Sequence, residues 1–204
     1  GHHDSVSGTA GAEDNAAGVG VALALAELFA GRQLEKPMRF ASFGTEEQLS
    51  QGAFAFVADP ENRARDIDMV LNTDGQGCWT GVNEVYLTGS ESLHEYMGEM
   101  MRKCGWSGTI RDEPDGFSDH FPFIIEDVPA AWFCRRNCAG GRWFHHSHFD
   151  NIEALSPLVL AACADFVGEL ALDICTKTAL PFDRAFPKCT REAVRKVADG
   201  WLKL

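Results

Sequence analysis

The chain has 204 residues, 45% of them hydrophobic, enough for one well-buried domain. Its formal net charge of −12 argues against a nucleic-acid partner, because phosphate binding requires a basic surface. No run reaches the roughly 18 uninterrupted apolar residues of a membrane helix, so no membrane partner is expected. Seven cysteines at irregular spacing do not read as a disulfide framework. They lean the reading towards a reducing, cytoplasmic compartment, although Cys134 and Cys138 are spaced for a local bridge in a secreted or periplasmic protein.

Short apolar runs alternate with helical patterns, and no repeat, low-complexity segment or Pro/Ser-rich linker divides them. One α/β domain over residues 1–204 with a central sheet is therefore expected. Residues 16–29 carry Ala, Val and Leu at helical spacing and stop at Gly31. A buried strand is read at 38–43, a short helix at 51–57, and further strands at 67–72 and 82–87. Residues 93–104 form a helix whose Met97, Met100 and Met101 read as core filler. A short helix at 121–125 precedes a strand at 128–134. A long helix starts at Pro157, where the missing N–H costs nothing. Residues 190–204 read as an amphipathic outer helix.

Against this scaffold the histidines and acids are unevenly placed. His2 and His3 sit beside Asp4, and His145, His146 and His148 lie near Asp150. Asp14 stands where a loop becomes a helix, Glu46 and Glu47 just after a strand, and Asp74 at a strand end. Taken singly each has an ordinary explanation. Asp14 complements a helix dipole, Glu46-Glu47 is a solvated face, and Asn72-Thr73-Asp74-Gly75 is a turn. Cys134 and Cys138 with His145 or His146 also have the spacing of a structural zinc site. In open α/β sheets, however, ligands collect beyond the carboxyl ends of the strands. Two imidazoles, three carboxylates and one spare Glu gathered there are the parts of a two-metal hydrolase.

The ordered motifs His2-His3-Asp4-Ser5, Asp14-Asn15-Ala16-Ala17-Gly18, Phe43-Gly44-Thr45-Glu46-Glu47, Asn72-Thr73-Asp74-Gly75, Ser118-Asp119-His120 with Phe123, and His146-Ser147-His148-Phe149-Asp150 resemble one known family. It is the zinc-dependent exopeptidases that include bacterial leucyl aminopeptidases, glutamate carboxypeptidases and glutaminyl cyclases. The resemblance implies a three-layer α/β/α fold with a mostly parallel, mixed central sheet. It also implies two zinc ions, with cobalt or manganese as alternatives, and a peptide substrate. By position, Asp14 would bridge the ions, His2 and Asp74 would complete one shell, and Glu47 and His146 the other. Glu46 would be the general base. Asp4, Asp119 and Asp150 would stand behind these ligands, Asp4 orienting His2.

The family domain ordinarily has strands and a helix before its first His. The resemblance therefore implies that the N-terminal strands are missing here, leaving a sheet edge open to association and room for a homo-oligomer. Aminopeptidase activity is the leading expectation. A carboxypeptidase would need a cationic pocket, for which Arg135, Arg136 and Arg142 are candidates. A glutaminyl-cyclase-like enzyme would keep a single zinc, and an inactive binding module would lack an intact Glu46. Phe117, Phe121, Trp132, Trp143 and Phe144 are candidates for an apolar pocket, or for the core.

Overall fold

In the computed structural model, which describes residues 1–136 and 144–202, four strands form one mixed sheet. They are β1 (Val70–Thr73), β2 (Val82–Thr88), β3 (Thr109–Arg111) and β4 (Ala130–Arg136), in the order β1-β4-β2-β3. Two of the three neighbouring pairs are parallel, β1 with β4 and β2 with β3, and β4 runs antiparallel to β2. Strand β4 is buried from Ala130 to Cys134, as an apolar run covered on both faces requires.

Helices cover the two faces of the sheet. On one face lie α1 (Ala17–Phe29), α3 (Glu91–Cys104) and α5 (Pro157–Cys175), whose Val21, Leu25, Met97, Met100, Phe166 and Leu170 pack with Val85, Leu87, Ala131 and Phe133. On the other lie α2 (Gln51–Ala58), α4 (Phe121–Ile125) and α6 (Lys188–Leu202). Their Ala53, Phe121, Ile124, Val194 and Ala198 are buried with Ala130 and Val128 in two smaller clusters. The result is the expected α/β/α arrangement around an open sheet. The three methionines of α3 are buried core residues.

Local chemistry accounts for the helix ends. The Ser90 hydroxyl accepts from Leu93 N–H at 3.2 Å to cap α3, which ends on Gly105 in the left-handed region at φ 65°. The Ser156 hydroxyl caps α5 immediately before Pro157.

Residues 38–43 correct the sequence reading. They form no buried strand and make only a single parallel bridge, Phe43 to His2. A cavity of about 560 Å³, lined by Met38, Phe40, Val21, Leu71 and Ile174 among others, separates them from β1. A ladder needs its partner about 4.8 Å away, so the segment stays extended but unpaired. The strand read at 67–72 begins later, at Val70, because Ala64–Asp66 is a tight turn. Strand β3 is an addition that three residues with one partly buried position did not signal.

Leu170 is fully buried in the larger core, whereas Leu23 on α1 is exposed. Leu170→Ala should lower the free energy of urea unfolding by about 2–5 kcal/mol. Leu23→Ala should change it by less than about 0.5 kcal/mol, and the reverse order would refute this layering.

Candidate metal centre

Five separate segments deliver the polar side chains to one point beyond the end of β1. His2 reaches it because residues 1–3 lie along Phe43. Phe43 N–H donates to Gly1 O at 3.0 Å, and His3 N–H donates to Phe43 O at 2.9 Å. Asp74 follows β1 directly. Asp14 lies in the irregular turn Ala12–Ala16 that leads into α1, with non-helical backbone at Asp14 and Asn15. Glu46 and Glu47 occupy a single tight turn, Glu46–Gln48, entered through Thr45 at φ 56°. They therefore stand on a turn after the extended segment and not on its last residues. His146 arrives from the chain beyond β4, itself at φ 56°.

The resulting geometry is close-set. His2 Nε2 faces Asp14 Oδ1 at 3.2 Å, Glu46 Oε2 at 3.6 Å and Asp74 Oδ1 at 3.7 Å. His146 Nε2 lies 3.1 Å from Asp14 Oδ2 and 2.9 Å from Glu47 Oε2. Asp14 thus turns one carboxylate oxygen to each imidazole. Donor atoms of His2, Asp14 and Glu47 fall within 4.8 Å of one another. So do donor atoms of Asp14, His145 and His146.

Behind these groups stand the three carboxylates read as support, and two of them have visible work. Asp4 Oδ1 accepts from Glu46 N–H at 3.1 Å and Oδ2 from Glu47 N–H at 3.3 Å, while His2 Nδ1 lies 3.4 Å from Oδ1. The Asp4 side chain thus pins the Glu46-Glu47 turn, while its main-chain O takes the hydrogen bond of His2 Nδ1 at 3.1 Å. Asp150, fully buried, accepts from Glu13 N–H at 2.5 Å and Asp14 N–H at 3.2 Å, fixing the loop that presents Asp14. Asp119 is buried nearby, and burial pushes its carboxyl up to about 6. His120 is buried too, its ring stacked on Trp132 at 5.4 Å, and burial holds it near 3, hence neutral.

Several participants were given no role at the centre from sequence. Asn72 donates to Ser118 Oγ at 2.6 Å, and Ser118 donates to Asp74 Oδ2 at 2.5 Å. Trp132 Nε1–H donates to Asp74 O at 3.0 Å, so this indole positions the site as well as packing. Val6 N–H donates to Glu47 Oε1 at 3.1 Å. The motifs Ser118-Asp119-His120 and Asn72-Thr73-Asp74-Gly75 were the available signals for Ser118 and Asn72, Trp132 was read only as pocket or core, and nothing local marks Val6.

Other candidates fall away from the centre. His148 rests on Phe149 at the surface. Cys134 is buried within β4, and His145 and His146 turn to Asp14, so the structural-zinc alternative loses its histidines. Its other residue, Cys138, lies outside the described residues, as do Arg142 and Trp143. Phe117 is exposed and packs edge-on to Trp201 at 4.1 Å, while Phe121 is core.

Electrostatics test whether cations suit this place. Burial first, then repulsion from Asp74, pushes Glu46 up to about 8. Burial and Asp14 push Glu47 up to about 7. Burial opposes protonation of His2, but hydrogen bonds to Asp14 and Asp74 overcome it and hold the imidazole up to about 12. Without metal the site thus retains protons on groups that carry none in the unfolded chain. Hard carboxylate oxygens and imidazole nitrogens at these separations are a zinc-type donor set, so the residues present fit the metal.

A cluster of imidazoles and carboxylates beyond the strand ends of an open α/β sheet is the arrangement of a metallopeptidase. A model of peptidase family M28 matches residues 1–171, and the chain belongs to that family. It is 27% identical over 190 residues to the aminopeptidase YwaD of Bacillus subtilis (strain 168), covering 88% of this chain and 41% of that protein. The solved structure of BSAP, a zinc aminopeptidase from Bacillus subtilis, superposes with a TM-score of 0.78 at 26% identity, over 92% of this chain and 48% of that one. A glutaminyl cyclase of Porphyromonas gingivalis shares the fold, with a TM-score of 0.63 at 18% identity over 80% of this chain and 63% of that one. The chain therefore spans less than half the length of the two Bacillus relatives.

A stability profile follows from the proton accounting. Glu46, Glu47 and His2 bind more protons folded than unfolded above about pH 7, where His120 is mostly neutral in both states. The metal-free protein should therefore lose stability as pH rises from about 7 to about 8, seen as a falling urea midpoint. Glu46→Gln should flatten the slope, and a profile rising over this window would contradict the crowding described.

Proposed function

We propose that this chain carries the catalytic centre of a metallo-exopeptidase, an aminopeptidase that hydrolyses the N-terminal bond of peptides with two zinc ions. Asp14 bridges the two metal positions. His2 and Asp74 hold one, and Glu47 and His146 hold the other. When bound, the zinc ions supply Lewis acidity, lowering the pKa of a water and polarising the scissile carbonyl. Glu46 takes the proton of the attacking water and passes it to the departing amine. Asp4 holds Glu46 and Glu47 in their separate duties by gripping both of their N–H groups, and Asp150 keeps Asp14 between the two halves.

The observation that carries this reading is the split of the Glu46-Glu47 pair. Glu47 meets Asp14's partner His146 at 2.9 Å, while Glu46 lies against His2 at 3.6 Å and accepts from Ser50 Oγ–H at 3.2 Å. A general base must stand beside the metal positions without being a ligand itself, and Glu46 is placed so, against His2 and held by Ser50. The aminopeptidase names of the Bacillus relatives support an amino-terminal substrate.

A carboxypeptidase reading has less support. Arg135 donates to Cys78 O, Thr80 O and Asn83, and Arg136 is engaged by Glu84 and Tyr86. Neither is left over to receive a terminal carboxylate.

Glu46→Gln should lower kcat on aminoacyl p-nitroanilides by about 10²–10⁴-fold with zinc content unchanged. Glu47→Ala should lose zinc as well as activity, measured by elemental analysis of chelator-free protein. A Glu46→Gln variant with wild-type kcat would overturn the assignment of the base. N-acetylated substrates should resist cleavage, and turnover of these in place of free amines would refute the aminopeptidase reading.

A further inference from the structure

His145 has no part in the assignment above, yet it is as close to the centre as any residue in it. Its Nδ1 lies 2.7 Å from Asp14 Oδ2, the same oxygen that His146 Nε2 approaches at 3.1 Å. The two rings stack, 3.6 Å between centroids and 24° from parallel. Adjacent side chains on extended backbone point apart. Here they converge because His146 adopts φ 56°, a left-handed conformation that costs a non-glycine residue energy and persists where its surroundings demand it.

We propose that His145 is a metal ligand, grouped with Asp14 and His146, whose donor atoms lie within 4.8 Å of one another, and with Glu47 at 2.9 Å from His146. The inference rests on the reading that the centre binds zinc, and extends it. Donors around one tetrahedral zinc stand about 3.3 Å apart, given zinc–donor bonds of about 2.0–2.1 Å. The recorded separations of 2.7, 2.9 and 3.1 Å approach that value. The two halves of the centre then differ in kind. The half built by Glu47, His145 and His146 is filled by protein donors, as in sites that hold metal firmly. The half built by His2 and Asp74 shares Asp14 and keeps a position open for water or substrate. The first equivalent of metal enters the closed half.

Cobalt(II) supplies the test, because each coordinated imidazole contributes one paramagnetically shifted, solvent-exchangeable N–H proton resonance. At one equivalent the wild-type protein should show two such signals, from His145 and His146. His145→Phe, which preserves the ring stack, should show one and bind the first equivalent at least tenfold more weakly in competition with a chelator. His145→Asn keeps an N–H for Asp14, so recovery of wild-type affinity in that variant would mean a tether and overturn the proposal. One resonance in the wild type would overturn it even if the variants fail to fold. Failure of the folded wild-type protein to bind cobalt or zinc at all would instead sink the metal reading as a whole.

Discussion

Burying several carboxylates at one point is unfavourable unless positive charge shares the space, and this constraint governs the centre. Asp14 and Asp74 are almost wholly buried, with Glu46 and Glu47 beside them. Their repulsion is relieved in the metal-free protein by retained protons and by His2, and on the proposed reading divalent cations would relieve it instead. The supporting structure makes sense as the means of holding that charge together. Asp4 and Asp150 do not approach as further ligands; they spend their oxygens on backbone N–H groups of the segments that carry the ligands. Ser118 and Trp132 treat Asp74 in the same way, one on its carboxylate and one on its carbonyl.

Much of the scaffold was legible because its helices bury regular stripes. Helices α1, α3 and α5 appear within two or three residues of their expected bounds, with Gly31, Gly105 and Pro157 marking their ends. Strands were less legible. Residues 38–43 have the composition of a buried strand, but composition says nothing about whether a neighbour is at ladder distance, and here a cavity lies there instead. Strand β3 is too short to show a period, and its existence depends on β2 lying beside it.

The side chains gathered at the centre were legible for a different reason. His2, Asp14, Glu46, Glu47, Asp74 and His146 are chemically marked residues at the ends of elements, and order along the chain related them to a family pattern. What order could not convey was direction. His145 and His148 flank the expected ligand almost symmetrically in sequence, yet one turns in to Asp14 and the other lies outside against Phe149. The left-handed turn at His146 decides between them, and that dihedral leaves no trace in residue type. Trp132 was ambiguous between pocket and core for a similar reason: its indole packs as core while its single N–H serves the site.

The centre unites residues from position 2 to position 146, drawn from turns that have little structure of their own. Contacts between groups so far apart in the chain must repay a large loop-closure entropy, and in folding such contacts are slow to form. The donors are thus scattered while the chain is still searching, and they meet only once the sheet and both helical layers have brought their turns together. On the proposed reading, metal capture would report completion of the fold instead of guiding it, and the centre would stay unassembled until the protein around it is finished.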